Sequence, residues 1–259
     1  MMVVAHLQRE SNMYDALHHI QQRIITAAQQ TGRDASQIRL IGVSKTHPAE
    51  AVAAAFAAGL TDFGENRVQE AEEKITTLSA QRSQLTWHLI GHLQRNKAKK
   101  AVQLFDYIHS VDSLELAQAI SRHSQDLGLA PCKILLQCNV SGEASKEGIT
   151  AQGWQHDAPL RHQVLTLAQQ IGELPGVKIC GLMTVAPYSE NPSEVREVFH
   201  SLRLLRDEIA AVIPTHPCNE LSMGMSGDME VAIAEGATMI RIGRALFGER
   251  SYPPQGQVM

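Results

Sequence analysis

The sequence predicts one α/β domain of the (β/α)8 TIM barrel type, covering residues 1–259 with a helix ahead of the first strand. Three observations lead there. The chain is 259 residues long, close to the roughly 250 that one such barrel takes. Eight short apolar or β-branched runs alternate with helical patterns, with no linker or low-complexity stretch between them. Strict β–α alternation specifies a parallel sheet covered by helices. Several of the runs are nearly continuous in apolar residues, as strands packed on both faces must be.

In chain order, Leu17, Ile20 and Ile24 recur on one face of an amphipathic N-terminal segment, the mark of a helix laid on a core. The strand runs are residues 39–45, 61–65, 87–91, 107–111, 133–139, 178–185, 220–225 and 239–243. His47-Pro48-Ala49-Glu50 starts a helix after the first run. The helix after the sixth run is the clearest. Val195, Val198, Phe199, Leu202, Leu205, Ile209 and Val212 keep a helical period, and Asn191, Pro192 and Glu194 suit N-cap, N1 and N3. A doubly wound open sheet stays open as an alternative, although no Gly-x-Gly-x-x-Gly follows the first strand to support it.

Hydrophobic residues make up 44% and charged residues 19%, which suits a soluble globular domain and excludes disordered and fibrous classes. A net charge of −4 gives no basic footprint for nucleic acid. The densest basic run, Arg95-Asn96-Lys97-Ala98-Lys99-Lys100, is expected to be a solvated face. The four cysteines, Cys132, Cys138, Cys180 and Cys218, have no metal or redox spacing and are expected to be buried, reduced thiols. The apolar start ends at His6, too short for a signal segment, and no stretch approaches the roughly 20 apolar residues of a membrane span. The expectation is a cytoplasmic monomer that binds neither membrane nor nucleic acid.

In this fold the functional face is built from the C-terminal ends of the strands. That rule selects Lys45, Asn66, 91–94, Asp112, 139–142, Met183 and Thr184, 222–226 and 241–244. Lys45 ends the run Leu40-Ile41-Gly42-Val43-Ser44-Lys45, where apolar surroundings favour the neutral amine that attacks carbonyls. Position alone leaves equally open a lysine that snorkels to water. Leu221-Ser222-Met223-Gly224-Met225-Ser226-Gly227-Asp228 combines glycines, which let backbone approach a ligand, with two hydroxyls. A helix beginning near Ser226 would aim N–H groups at an anion. Arg241-Ile242-Gly243-Arg244 adds a second glycine turn, and the loops after the seventh and eighth strands are the recurrent phosphate site of the fold. Two ordinary βα turns are the plainer alternative. His88 and His92 flank Gly91 in a strand-like run, so they point in unrelated directions and do not suit zinc. Glu65, Asp112 and Asp62 suit surface or capping roles, and Ser44 lacks a nucleophile elbow.

The combination of Val43-Ser44-Lys45, Phe63-Gly64-Glu65-Asn66-Arg67-Val68-Gln69-Glu70, Trp87-His88-Leu89-Ile90-Gly91-His92-Leu93-Gln94-Arg95-Asn96-Lys97, Ser222-Met223-Gly224-Met225-Ser226 and Arg241-Ile242-Gly243 closely resembles the pyridoxal phosphate homeostasis proteins. The resemblance runs from about residue 38 to about residue 250, and five motifs in order are far more specific than one. It implies a fold-type III barrel like the N-terminal domain of alanine racemase, binding pyridoxal 5′-phosphate (PLP) as a Schiff base on Lys45. It further implies Asn66 and His88 around the ring, Ser222, Met223, Gly224 and Ser226 with Gly243 at the phosphate, and Arg241 facing the pyridine nitrogen. Arg244 departs from the family's small hydroxyl residue, so it either binds phosphate bidentately or points to solvent. Leu89 replaces a more usual aromatic or methionine, with a slight change in ring-side packing expected.

Two functions follow. One is a PLP-binding protein that stores, buffers or delivers the cofactor to apo-enzymes without turnover. The other is an enzyme, a PLP-dependent racemase or a Schiff-base aldolase using Lys45 directly. Only 251–259 follow Gly248-Glu249-Arg250, which leaves no room for the second β-domain of the racemases, and only the lysine face offers an evident acid–base group. The first reading is therefore the expectation.

Overall fold

The computed structural model describes residues 2–143, 145–189 and 191–248. Every expected run forms a strand: β1 (Arg39–Val43), β2 (Asp62–Glu65), β3 (Thr86–Leu89), β4 (Tyr107–Val111), β5 (Cys132–Asn139), β7 (Val177–Met183), β8 (Glu220–Ser222) and β9 (Met239–Ile242), with a short β6 (Ile149–Thr150) between the fifth and sixth. Strands β1, β2, β3, β4, β5, β7, β8 and β9 pair in that order, and β9 returns to β1, so the ring is closed and parallel throughout. The open-sheet alternative is thereby excluded. β6 pairs with the end of β5 outside the ring. It was not anticipated, because two residues carry no periodic signal. Several expected runs overshoot their strands at the C-terminal end, among them 39–45 and 220–225. Those residues, Ser44 and Lys45 after β1 and 223–225 after β8, leave the sheet at the rim and build the turns there.

The helices are α1 (Met2–Gln30), α2 (Ala49–Ala57), α3 (Val68–Thr77), α4 (Ala98–Leu104), α5 (Leu114–Asp126), α6 (Ala158–Gly172), α7 (Pro192–Val212), α8 (Met229–Ala234) and α9 (Arg244–Phe247). Helix α1 buries Leu17, Ile20 and Ile24 as its periodicity requires, and contacts α2, α8 and α9. At α7, Asn191 caps the helix through its side chain, which accepts from the Ser193 N–H at 3.0 Å, and Pro192 is the first helical residue. Helix α2 starts one residue later than expected, because Pro48 has an extended ψ of 167° and serves as the N-cap.

Strand alternation divides the core into two layers. Phe63, Trp87, Leu89, Ile108, Ile134, Leu136, Leu221, Ile240 and Ile242 face outward and pack under the helices. Inside the barrel a smaller apolar group, Ile41, Tyr107, Leu135, Cys180, Met183 and Met239, fills the lumen. The expected ring-side effect of Leu89 is corrected by this geometry: period-two alternation turns Leu89 out to the helices while its neighbour His88 points in.

Candidate functional site

Lys45 follows β1 on the C-terminal rim, half-buried, in a tight turn where Thr46 takes φ 67°. A β-branched residue rarely adopts that left-handed conformation unless its surroundings impose it. Here they do. The Thr46 N–H donates to Glu70 Oε1 at 2.5 Å, while Lys74 Nζ donates to the Ser44 carbonyl at 2.7 Å, to Glu65 Oε1 at 2.6 Å and to Glu70 Oε1 at 2.8 Å. Ser44 Oγ also donates to Glu65 Oε1 at 2.6 Å. Burial pushes the Glu65 carboxyl upward, opposed by the adjacent ammonium. The residues on either side of Lys45 are thus clamped by β2 and α3.

β1 and β9 lie side by side with Ile41 opposite Arg241. Lys45 and the turn at Gly243 therefore emerge on the same part of the rim. The Arg241 N–H donates to the Gly224 carbonyl at 3.0 Å, joining this strand to the turn after β8. Gly224 has φ 96°, and a Cβ there would lie 2.6 Å from Ala232 Cβ and 2.9 Å from Ile240 Cδ1. Only glycine fits. Met223 is buried, Ser226 is half-buried and Gly243 borders the rim, whereas Arg244 heads α9 with its side chain exposed. The helix expected to begin near Ser226 begins instead at Met229, because Asp228 Oδ1 accepts the Met225 N–H at 2.5 Å and closes a turn first.

Within the lumen a continuous polar chain crosses the barrel. Asp62 Oδ1 lies 3.1 Å from His88 Nε2, His88 Nδ1 lies 2.9 Å from His109 Nε2, and His109 Nδ1 lies 2.9 Å from Ser222 Oγ. Arg241 then donates to Ser222 Oγ at 2.8 Å and to the Thr184 carbonyl at 2.8 Å. Burial pulls His88 below its ordinary value despite Asp62, pulls His109 well below its own, and lowers Arg241 to about 10, still protonated at neutral pH. Hydrogen bonds from His88 and Thr61 overcome burial at Asp62 and hold its carboxyl low.

Of the expected site residues, the structure brings Lys45, Gly224, Gly243 and Arg241 together across β1, β8 and β9. Ser222 and His88 sit lower, fully buried, with their polar atoms turned to one another's neighbours rather than to the rim. Asn66 lines a cavity of about 300 Å³ at the mouth, with Gly91, Asn139, Met183 and Thr184. That cavity does not reach Lys45, but Thr184 connects it to Arg241. Gly91 sits where a Cβ would lie 2.5 Å from the Asn66 carbonyl oxygen, so the absence of a side chain lets the two turns close on each other. The sequence did not single out His109, Lys74 or Glu70, and it placed Asp62 and Glu65 on the surface. His109 was legible in part: Tyr107 and His109 alternate within β4, so both face one side.

The chain matches the family described as alanine racemase, N-terminal domain, over residues 16–251. The pyridoxal phosphate homeostasis protein of Pseudomonas aeruginosa is 42% identical over 93% of this chain and 97% of its own. That of Aquifex aeolicus is 40% identical over 93% of this chain and all of its own length. PipY of Synechococcus elongatus PCC7942, solved with PLP bound, is 42% identical, covers 88% of this chain and superposes with a TM-score of 0.73. Alanine racemase of Clostridium difficile, at 16% identity and a TM-score of 0.65 over 95% of this chain and 58% of its own, shares the fold. The chain belongs to the pyridoxal phosphate homeostasis protein family, on the barrel of the alanine racemase N-terminal domain.

Proposed function

We propose that this protein binds PLP covalently through Lys45 Nζ and serves PLP homeostasis by storing, buffering or delivering the cofactor, without turning over a substrate. The observation that carries this is the β1–β9 register, which sets a rim lysine beside a buried arginine and two glycine turns. PLP bound there supplies an aldehyde for the lysine and an electron-withdrawing ring.

The residues present fit that group. Arg241 commits two of its five N–H groups inside the barrel and remains a cation, able to donate a hydrogen bond to a pyridine nitrogen while withholding a full proton. Met223, Gly224, Ser226, Gly243 and Arg244 form the turns assigned to the phosphate, with Asn66 at the mouth. Ser222 and His88 support Arg241 from below. The absence of turnover is favoured by the state of the neighbouring acids and bases: His88 and His109 are engaged at both ring nitrogens, and Glu65 is held by Lys74. Buried thiols at Cys132, Cys138 and Cys218, pushed up to about 12, suit a reducing, cytoplasmic setting. Delivery to apo-enzymes by a monomer completes the proposal.

The test is an absorbance spectrum with PLP before and after borohydride, followed by peptide mass analysis. The wild type is expected to show a visible band and a modified Lys45 peptide, and Lys45→Ala to lose both. An unchanged band in Lys45→Ala would remove Lys45 as the anchor. Steady D-amino acid release that depends on Lys45 would establish the enzyme reading instead.

A further inference from the structure

The polar chain through the lumen has charged groups at its two ends, and those ends dictate its direction. A carboxylate has no hydrogen to give and a guanidinium has no lone pair to offer. Asp62 Oδ1 must therefore accept from His88 Nε2–H, and Arg241 must donate into Ser222 Oγ. Both imidazoles are fully buried, which disfavours a charged ring, so each has one N–H. The hydrogen of His88 is committed to Asp62, leaving Nδ1 as an acceptor. The hydrogen of His109 must then sit on Nε2 to bridge the 2.9 Å to that atom. His109 Nδ1 is left as an acceptor, and among the described residues its partner is Ser222, whose hydroxyl hydrogen it takes at 2.9 Å. No contact in the chain retains a choice.

We propose that Asp62, His88 and His109 form a one-way hydrogen-bond chain that orients the Ser222 hydroxyl and, through it, the Arg241 guanidinium, making these residues positioning residues for Arg241. With its hydrogen turned to His109, Ser222 offers only lone pairs elsewhere, and one of them holds Arg241. The Thr184 carbonyl fixes the second guanidinium nitrogen at 2.8 Å. Two acceptors, one in β8 and one just past the end of β7, define the plane and the height of the guanidinium in the lumen. The consequence for the ring rests on the proposal that Arg241 faces the PLP pyridine nitrogen. One extra proton on the histidine pair would reverse the contacts from His88 to Ser222, turn Ser222 into a double acceptor and release its hydroxyl hydrogen. Burial of both rings opposes that proton, while the carboxylate at the opposite end of the barrel, which by itself would favour it, fixes the His88 hydrogen on Nε2.

The experiment begins without cofactor. ¹⁵N spectra of the histidine side chains in the apo protein at about pH 7.5 report protonation and tautomer directly. Neutral His88 and His109, both protonated on Nε2, are expected. An imidazolium at either position, or His109 protonated on Nδ1, would overturn the chain. Asp62→Ala removes the terminal acceptor and is expected to move His109, two links away, into a mixture of tautomers. Asp62→Asn keeps an acceptor oxygen and is expected to restore the single form. A folded Asp62→Ala protein with the wild-type His109 pattern would also overturn the chain, and should that variant fail to fold, the wild type and Asp62→Asn decide. With PLP loaded, Asp62→Ala is expected to shift the visible band in the same direction as Ser222→Ala. Wild-type tautomers as stated, with a band that ignores both substitutions, would overturn the placement of Arg241 at the ring and leave the chain itself standing.

Discussion

An ammonium with only 5% of its residue exposed is tolerated when its charge is met, and Lys74 is met by Glu65, Glu70 and the Ser44 carbonyl. Among the described residues Glu65 Oε2 has no hydrogen-bond partner despite its burial, so Glu65 depends on its other oxygen and on Lys74. Removing one member of such a pair costs about 3–5 kcal/mol, because the remaining charge is stranded in a low-dielectric site. Lys74→Met is expected to lose about that much unfolding free energy in urea titrations. Lys74→Met combined with Glu65→Leu should recover a large part of it. The two variants separate charge stranding from loss of packing. Because the same contacts flank Lys45, both are expected to load PLP more slowly than the wild type.

Among the elements, the turn between β8 and α8 is tightly constrained. Gly224 combines a positive φ with contacts too close for any Cβ, and its carbonyl accepts the Arg241 N–H. Gly224→Ala must either move the turn or push apart α8 and β9. A loss of about 1–3 kcal/mol is expected from the backbone strain alone, with weaker PLP binding because the turn and Arg241 move together. Comparing PLP with pyridoxal by titration checks the assignment: the loss should be larger for the phosphorylated ligand. An equal loss for both would remove this turn from the phosphate site. Helix α7 is the contrasting element, where a capping asparagine and a first-turn proline, local signals both, define the start.

At the scale of the whole molecule, a barrel lumen that holds two neutral histidines ties stability to pH. Their folded values lie below the ordinary 6.5. Below about pH 6.5 the unfolded chain binds protons that the folded chain does not, so stability is present above that pH and lost as pH falls, at no more than roughly 1.4 kcal/mol per pH unit for each histidine. Asp62, held low, adds the same sign at lower pH: its contribution is present above the ordinary carboxylate value and lost as pH falls through its folded one. Glu65, pushed up, acts the other way, since its contribution belongs to low pH and is lost as pH rises through its folded value. Asp228, also pushed up by burial, acts as Glu65 does, but both carboxylates have ordinary values well below that of histidine, so the net change as pH drops from about 6.5 is a fall. Urea titrations between about pH 7.5 and about pH 5.5 should show it, and His109→Gln should reduce the slope.

Local information determined the architecture of this protein and the identity of its rim. Eight apolar runs between helical patterns specify a parallel α/β fold, since period and alternation are properties of consecutive residues, whereas the β1–β9 pairing decides that the sheet closes into a barrel. The strand-end rule then isolates Lys45, the turn at Gly224 and Arg241 without any knowledge of contacts. What lies inside the barrel was decided by tertiary structure. Asp62, His88, His109 and Ser222 stand on β2, β3, β4 and β8, and the His109–Ser222 contact alone joins residues 113 apart. Nothing in their own neighbourhoods announces that they meet. The same holds for Lys74, which continues a helical surface pattern in sequence yet turns inward to Glu65. A buried polar group is recognisable only from its partner: barrel closure supplies the partners in the lumen, and the seating of α3 on β2 supplies that of Lys74.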